Sequence, residues 1–283
     1  MTTDPVPLGE SAPRDLIVTL FGLYSRGENN WLPVSALVRL MEELGIDGPA
    51  VRSSVSRLKR RGVLLGVRRE ATAGYELSPA TLQVLTEGDT RIFRRVRSTL
   101  ADGWLLLTFS IPESERDKRH ALRTALSGLG FGTVSPGVWI APAALESETK
   151  TMLDRKGLRD YVELFAGHHL GFEDLRSRVQ RWWDLDQITL SYADFVRRHR
   201  RLTSVDVADA AAAFAAYVPM LTAWRVLPYL DPGLPLEVLP AGWNGQVAEE
   251  LFGELNDRLS APAREFALDV LHGSAASGPL TTR

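Results

Sequence analysis

Between Arg52 and Arg69 the chain sets out Arg52, Arg57, Lys59, Arg60, Arg61, Arg68 and Arg69 with no aspartate or glutamate among them. Arginine presents a planar fork of donors that bridges two acceptors on a guanine edge or grips a phosphate, and serine hydroxyls bond to either. Ser53 and Ser56 supply such hydroxyls beside the arginines. The chemistry on offer is recognition of a polyanion rather than bond making. The competing reading is a solvated basic face on a structural helix.

The elements around this stretch decide between the two. On a helical wheel Val51, Val55 and Leu58 form a narrow apolar stripe that must face a core. The opposite side then carries Ser53, Ser56, Arg57 and Arg60, flanked by Arg52, Ser54, Lys59 and Arg61. Upstream, Ser11 caps a helix entered through Pro13, with Leu16, Ile17, Leu20, Phe21 and Leu23 on its buried face, and Gly27 stops it. Val34, Leu37, Val38, Leu40 and Met41 mark a second helix, and Asp47-Gly48-Pro49 turns into the basic one. After Gly62, residues 63–67 and 75–77 read as strands around a tip from Arg68 to Gly74. Three helices and a basic hairpin in this order predict a winged helix-turn-helix, its third helix in the major groove and Arg68 and Arg69 on a flanking backbone. Ser78-Pro79 opens a further helix that ends in Arg91, Arg94, Arg95 and Arg97. That cluster reads as a solvated linker helix, with a second phosphate contact as the alternative.

At 283 residues the chain is long enough for two or three modules, and its 45% apolar content supports real cores. The net charge of −2 hides an asymmetry: residues 1–100 hold 14 Lys and Arg against 11 Asp and Glu, and the remainder 19 against 24. Basic charge is local, as it is in a DNA-reading module. The absence of cysteine excludes disulfides, thiolate metal sites and a cysteine nucleophile. No window reads as a bilayer span and residues 1–13 lack a signal-peptide pattern, so a cytoplasmic protein with no membrane partner is expected.

Residues 101–170 follow the order βαββαβ: a strand at 104–111, a helix at 113–129, strands at 130–134 and 138–141, a helix at 144–156 and a strand at 161–165. That is the order of a ferredoxin-like unit, a fold that hosts nucleases as well as sensors and dimerisation modules. A metal-dependent nucleic-acid hydrolase on it needs an acid at the end of the first strand, where this chain has Ser110-Ile111-Pro112. His168-His169 with Glu173 and Asp174 reads as a polar loop, because adjacent residues on an extended segment point apart. No catalytic residue and no metal ligand is assigned. Residues 171–275 read as a helical domain: helices at 176–183, 185–202 and from Asp206 to Arg225, an extended path from Pro228 to Gly245, then helices at 246–259 and 261–272. Trp182, Trp183, Trp224, Tyr229 and Trp243 are candidates to line an aromatic-ligand pocket, with helix packing as the alternative. The fold class expected is α+β: an arm at 1–12, a winged-helix domain with linker helix at 13–100, a ferredoxin-like domain at 101–170, a C-terminal helical domain at 171–275 and a disordered tail at 276–283.

Nearly the whole chain resembles the PaaX family of repressors of phenylacetate degradation. The resemblance lies in Pro13-Arg14-Asp15-Leu16-Ile17, Leu20-Phe21-Gly22, residues 51–58, Gly130-Phe131-Gly132, residues 136–142 and Trp182-Trp183-Asp184-Leu185. Its most specific part is Trp224-Arg225, Leu230-Asp231-Pro232, Leu234-Pro235, Leu239-Pro240 and Trp243-x-Gly245. It implies a dimeric repressor of aromatic catabolism genes that is released from its operator in double-stranded DNA by an aryl-CoA thioester such as phenylacetyl-CoA. Arg178, Arg181 and Arg225 are then candidates to meet the CoA phosphates, and no cofactor is expected. Two features depart from the family pattern: residues 68–75 replace a Gly-Arg-rich tip with paired tyrosines, and Thr222-Ala223 stand where a His-Glu pair is common. Beside this reading stand two others, the hydrolase above and a ligand-blind DNA-binding adaptor.

Overall fold

The computed structural model describes residues 12–273, so the arm before Ala12, the expected Ser11 cap and the tail at 276–283 lie outside the described residues. Within that range the chain is α+β, with a three-stranded and a four-stranded antiparallel sheet. It forms two compact units. The first gathers the chain up to Thr90, Asp194–Trp224 and the stretch from Val247; the second holds Arg91–Ala193 and Arg225–Gln246.

In the first unit α1 (Pro13–Leu20) opens on Pro13, whose missing amide proton costs nothing at a first helical position. It continues through a π turn at Phe21–Ser25 and a 3-10 turn at Arg26–Glu28. Asn29 and Asn30 then reverse the chain at φ 54° and 59°, a region that short amide side chains tolerate. Strand β1 (Trp31–Pro33), which three residues are too few to signal in sequence, leads into α2 (Val34–Glu43). The third helix, α3 (Gly48–Arg60), is capped by Asp47, whose Oδ1 accepts the Ala50 amide proton at 2.8 Å. Strands β2 (Leu64–Arg69) and β3 (Thr72–Leu77) pair from Leu64↔Leu77 to Arg69↔Thr72, and β1 adds to β3. The hairpin is therefore longer than expected and its turn is only Glu70-Ala71, with Glu70 at φ 52°. Gly74 is not part of a tip. It lies in β3 under the Trp31 ring, where a Cβ would stand 2.3 Å from that ring. Helix α4 (Pro79–Phe93) begins at Ser78, whose Oγ accepts the Thr81 amide proton at 3.3 Å, and Arg26 pairs with its Asp89 through the two terminal nitrogens of the guanidinium.

The second unit is built on β4 (Trp104–Phe109), α5 (Arg116–Gly128), β5 (Gly132–Ser135), β6 (Val138–Pro142), α6 (Glu146–Lys156) and β7 (Val162–Gly167). The sheet order is β5-β6-β4-β7, every pair antiparallel. Leu105 and Leu107 of β4, Trp139 of β6, Leu122 and Leu126 of α5 and Met152 and Leu153 of α6 form one core beneath it. Helices α7 (Leu175–Trp182) and α8 (Leu185–His199) follow. The end of α7 is fixed to the sheet: Trp183 Nε1 donates to the Gly130 carbonyl at 2.7 Å, and its ring lies where a side chain at Gly132 would have to go.

Helix α9 (Ala210–Trp224) is capped by Asp209 rather than Asp206 and buries Phe214, Val218 and Leu221. The stretch Ala210–Leu230, with a mean hydropathy of 1.4, is long and apolar enough to cross a membrane, which corrects the expectation that no window would be. In the first unit α9 packs as a core helix. Thr222 donates to Thr19 of α1 at 2.8 Å, and the Trp224 ring stacks on Phe252 with centroids 4.3 Å apart. After it the proline-rich segment is not a continuous extended path: α10 (Leu227–Leu230) and a 3-10 turn at Leu236–Val238 interrupt it. The last helix, α11 (Gly245–His272), is one rod where two helices were expected. Leu255, Leu259, Ala263 and Ala267 are buried at four-residue spacing, so core packing carries the helix past the hydrogen bond Pro262 cannot make.

Candidate nucleic-acid interface

Helix α3 buries Val51, Ser54, Val55 and Leu58, which leaves Arg52, Ser53, Ser56, Arg57, Lys59, Arg60 and Arg61 exposed. Ser54 is the correction here, a buried residue expected on the rim of the polar face. One side of α3 is thus anchored by aliphatic packing against α1 and α2, and the other offers guanidiniums and hydroxyls to solvent. At the N-terminal end the Arg52 guanidinium lies over Gly48, 3.2 Å from where a Cβ would stand.

Some basic residues of the stretch also have contacts within the fold. Lys59 holds its ammonium 5.8 Å from the centroid of the Tyr75 ring and alongside Gly66, fastening α3 to the hairpin. Arg69 donates to the Asn29 carbonyl at 2.9 Å, pairs with Glu76 at 3.5 Å and lies 5.3 Å from the Trp31 ring centroid. Arg68 is exposed and donates to the Ala71 carbonyl at 3.1 Å across the turn. At the other end of α3, Arg57, Arg60 and Arg61 meet Arg14 of α1 around a hollow of about 270 Å³, with Leu58 completing its lining. Arg14 was not among the sequence candidates. Only helix packing brings α1 beside the last turn of α3, and no local pattern signals it.

Of the linker arginines, Arg94 is exposed, but Arg91, Arg95 and Arg97 turn inward instead of lying on a solvated helix face. Arg91, 7% exposed, donates to the carbonyls of Leu129 (2.7 Å) and Pro228 (3.0 Å), pairs with Glu148 (3.0 Å) and covers the Tyr229 ring. Helix α4 ends at Phe93, and the extended segment after it sends Arg95 and Arg97 to Asp231, which is entirely buried. Tyr192 donates to the same carboxylate at 3.0 Å, and the Gly233 amide does so at 2.9 Å. Burial alone would push the Asp231 carboxyl up, but the Arg95 and Arg97 charges, with hydrogen bonds from Arg97 and Gly233, hold it below the ordinary carboxylate range. Burial, and then the Asp231 charge, raise the Tyr192 hydroxyl above its ordinary value.

The aromatic candidates stand in separate packing groups. Trp182 and Trp183 contact Trp104, with His169 edge-on to Trp182 at 5.7 Å. Trp243 meets Tyr192, Tyr229 lies beneath Arg91, and Trp224 sits in the first unit between Phe195 and Phe252. Arg178 and Arg181 both pair with Glu173. Arg225 lies in the second unit with its Nε buried. Among the described residues no group of three or more His, Asp or Glu side chains gathers to hold a metal ion. Beyond β4, Ser110 gives its amide to the Tyr161 carbonyl at 3.0 Å and Ile111 is buried.

Three family models match the chain: a PaaX-like protein model over residues 12–81, the PaaX protein central Cas2-like domain over 97–179 and the PaaX-like protein C-terminal domain over 183–269. The transcriptional repressor PaaX of Escherichia coli (strain K12) is 28% identical over 262 residues, 89% of this chain and 81% of that protein. Among solved structures, the uncharacterized protein Rv0674 from Mycobacterium tuberculosis matches 92% of this chain and 100% of its own with a TM-score of 0.56. At 22% identity that is a likeness of fold.

Proposed function

Since this chain belongs to the PaaX family, we propose that it is a transcriptional repressor that reads operator DNA through the exposed face of α3. In this reading α1–α3 and the β1–β3 sheet are a winged helix-turn-helix, and the β5-β6-β4-β7 sheet is a ferredoxin-like module. Arg52, Ser53, Ser56 and Arg57 face base edges and phosphates, and Arg68 touches backbone from the end of β2 in the wing. The protein acts in the cytoplasm as a homodimer on a two-fold operator and is a regulator rather than an enzyme. The residue at the end of β4 supports this over the hydrolase reading, because Ser110 stands where an acidic metal ligand would be needed.

The regulatory half of the proposal is that an aryl-CoA thioester such as phenylacetyl-CoA releases the DNA, and that the regulated genes serve phenylacetate-type catabolism. The family resemblance supports this. Within the second unit the proposed contacts are Arg178 and Arg181 for CoA phosphates and the Trp182-Trp183 pair for the aryl group. Binding releases DNA only if the thioester prefers the free form, and tenfold release corresponds to about 1.4 kcal/mol of differential affinity.

The observation that carries the DNA-binding reading is the exposed, acid-free face of α3. Its test is Arg57→Ala, measured by fluorescence anisotropy on a duplex from upstream of the protein's own gene and on a random duplex. The operator complex should weaken by roughly 1–3 kcal/mol, with a smaller change on random DNA. Equal affinity of variant and wild type for both duplexes would return α3 to a structural role.

A further inference from the structure

We propose that Arg14, with Arg60 and Arg61, seats a backbone phosphate of duplex DNA in the hollow that they line together with Arg57 and Leu58, so that α1 adds a contact of its own beside α3. The inference rests on the DNA-binding reading above and goes beyond it in naming a site and a residue outside the α3 and wing candidates.

Four arginines from two elements line the hollow. Arg57, Arg60 and Arg61 share the end of α3 at a spacing that puts them on neighbouring positions of the helix surface, and Arg14 comes from the first turn of α1. Asp15 approaches Arg14 at 3.6 Å, and the charged residues that line the hollow are all arginines. Gathering like charges is unfavourable in the absence of an anion. Leu58, which is buried, is also part of the lining, and a charge held against an apolar surface interacts more strongly than one in open water. A phosphodiester suits such a seat: its charge is spread over two oxygens, and guanidinium forks bind it from several directions. A flat base edge would be met by one fork in its own plane. The hollow continues the exposed face of α3, so a duplex read by Arg52, Ser53 and Ser56 brings its backbone past Arg60 and Arg61. Helix α1, which carries Arg14, is keyed to α9 by the hydrogen bond between Thr222 and Thr19.

Because a phosphate contact carries no sequence information, it has a signature that separates it from base reading. The experiment compares wild type and Arg14→Gln by anisotropy on the upstream duplex and on a random duplex across a salt series. Arg14 is exposed, so the variant should keep the wild-type melting temperature. The seat predicts a loss of about three- to tenfold on both duplexes alike and a slope of log K against log salt shallower by roughly one. An unchanged affinity and slope, with wild type binding its operator and Arg57→Ala impaired, would overturn the seat and leave the DNA-binding reading standing. Loss confined to the operator would overturn it too, by making Arg14 a base contact. A changed response to free CoA with the slope intact would assign the hollow to a small-molecule phosphate instead. Wild type that binds neither duplex would remove the seat together with the reading it rests on.

Discussion

Arg57 and Arg69 were alike as sequence candidates, yet the structure gives them different surroundings. Arg57 opens onto solvent beside Arg60 and Arg61, whereas Arg69 is turned back onto Trp31, Asn29 and Glu76. The exposure of the α3 residues was legible, because a helix of known phase with one apolar stripe leaves only one face free. The fate of Arg69 was not: its partners Asn29 and Trp31 lie in the turn and short strand between the first two helices. Replacing Arg69 with alanine should therefore cost stability, about 0.5–1 kcal/mol for the lost cation-π contact, and leave operator affinity close to wild type. Thermal denaturation and anisotropy on the same preparation check this. A large loss of DNA affinity without a fall in melting temperature would place Arg69 on the duplex instead.

At the scale of elements, periodicity and caps located α2, α3, α5, α6 and the strands of the second unit to within a few residues. The places where it failed share a cause. Pro262 reads locally as a break, but four buried positions along α11 outweigh one missing hydrogen bond. Gly74 reads as a loop residue, yet it is a strand residue that admits the Trp31 ring. Arg95 and Arg97 read as part of a solvated run because Asp231, their counter-charge, lies 134 residues along the chain from Arg97. That network makes a prediction. Asp231→Asn removes the charge on which two arginines and a tyrosine converge, and breaking a buried pair of this kind costs about 3–5 kcal/mol. The carboxyl titrates lower in the folded chain than in the unfolded one, so its contribution is complete above the unfolded value near 3.9. It is lost as the pH falls through the folded value. Wild-type stability should thus decline below about pH 4, and the Asn variant should lose less over the same interval. Parallel pH profiles for the two proteins would show the network to be dispensable.

Across the whole molecule the compact units do not follow chain order. Residues up to Thr90 share a unit with Asp194–Trp224 and the helix after Val247, whereas 225–246 joins the unit of the four-stranded sheet. Composition and turn signals divide a chain only into consecutive pieces, so this interleaving was beyond a local reading. Helix α1, which carries Arg14, is bonded through Thr19 to Thr222 of α9. Helices α1 and α9, which lie about two hundred residues apart in sequence, thus pack in one unit. The measurement that tests the account most directly is anisotropy of the full chain on the duplex from upstream of its own gene, at fixed salt, with phenylacetyl-CoA and then plain CoA added. The account predicts salt-sensitive specific binding that the thioester releases and CoA alone does not. Specific binding that neither compound disturbs would contradict control by this thioester, and the absence of any preference for that duplex over random DNA would contradict the proposed operator.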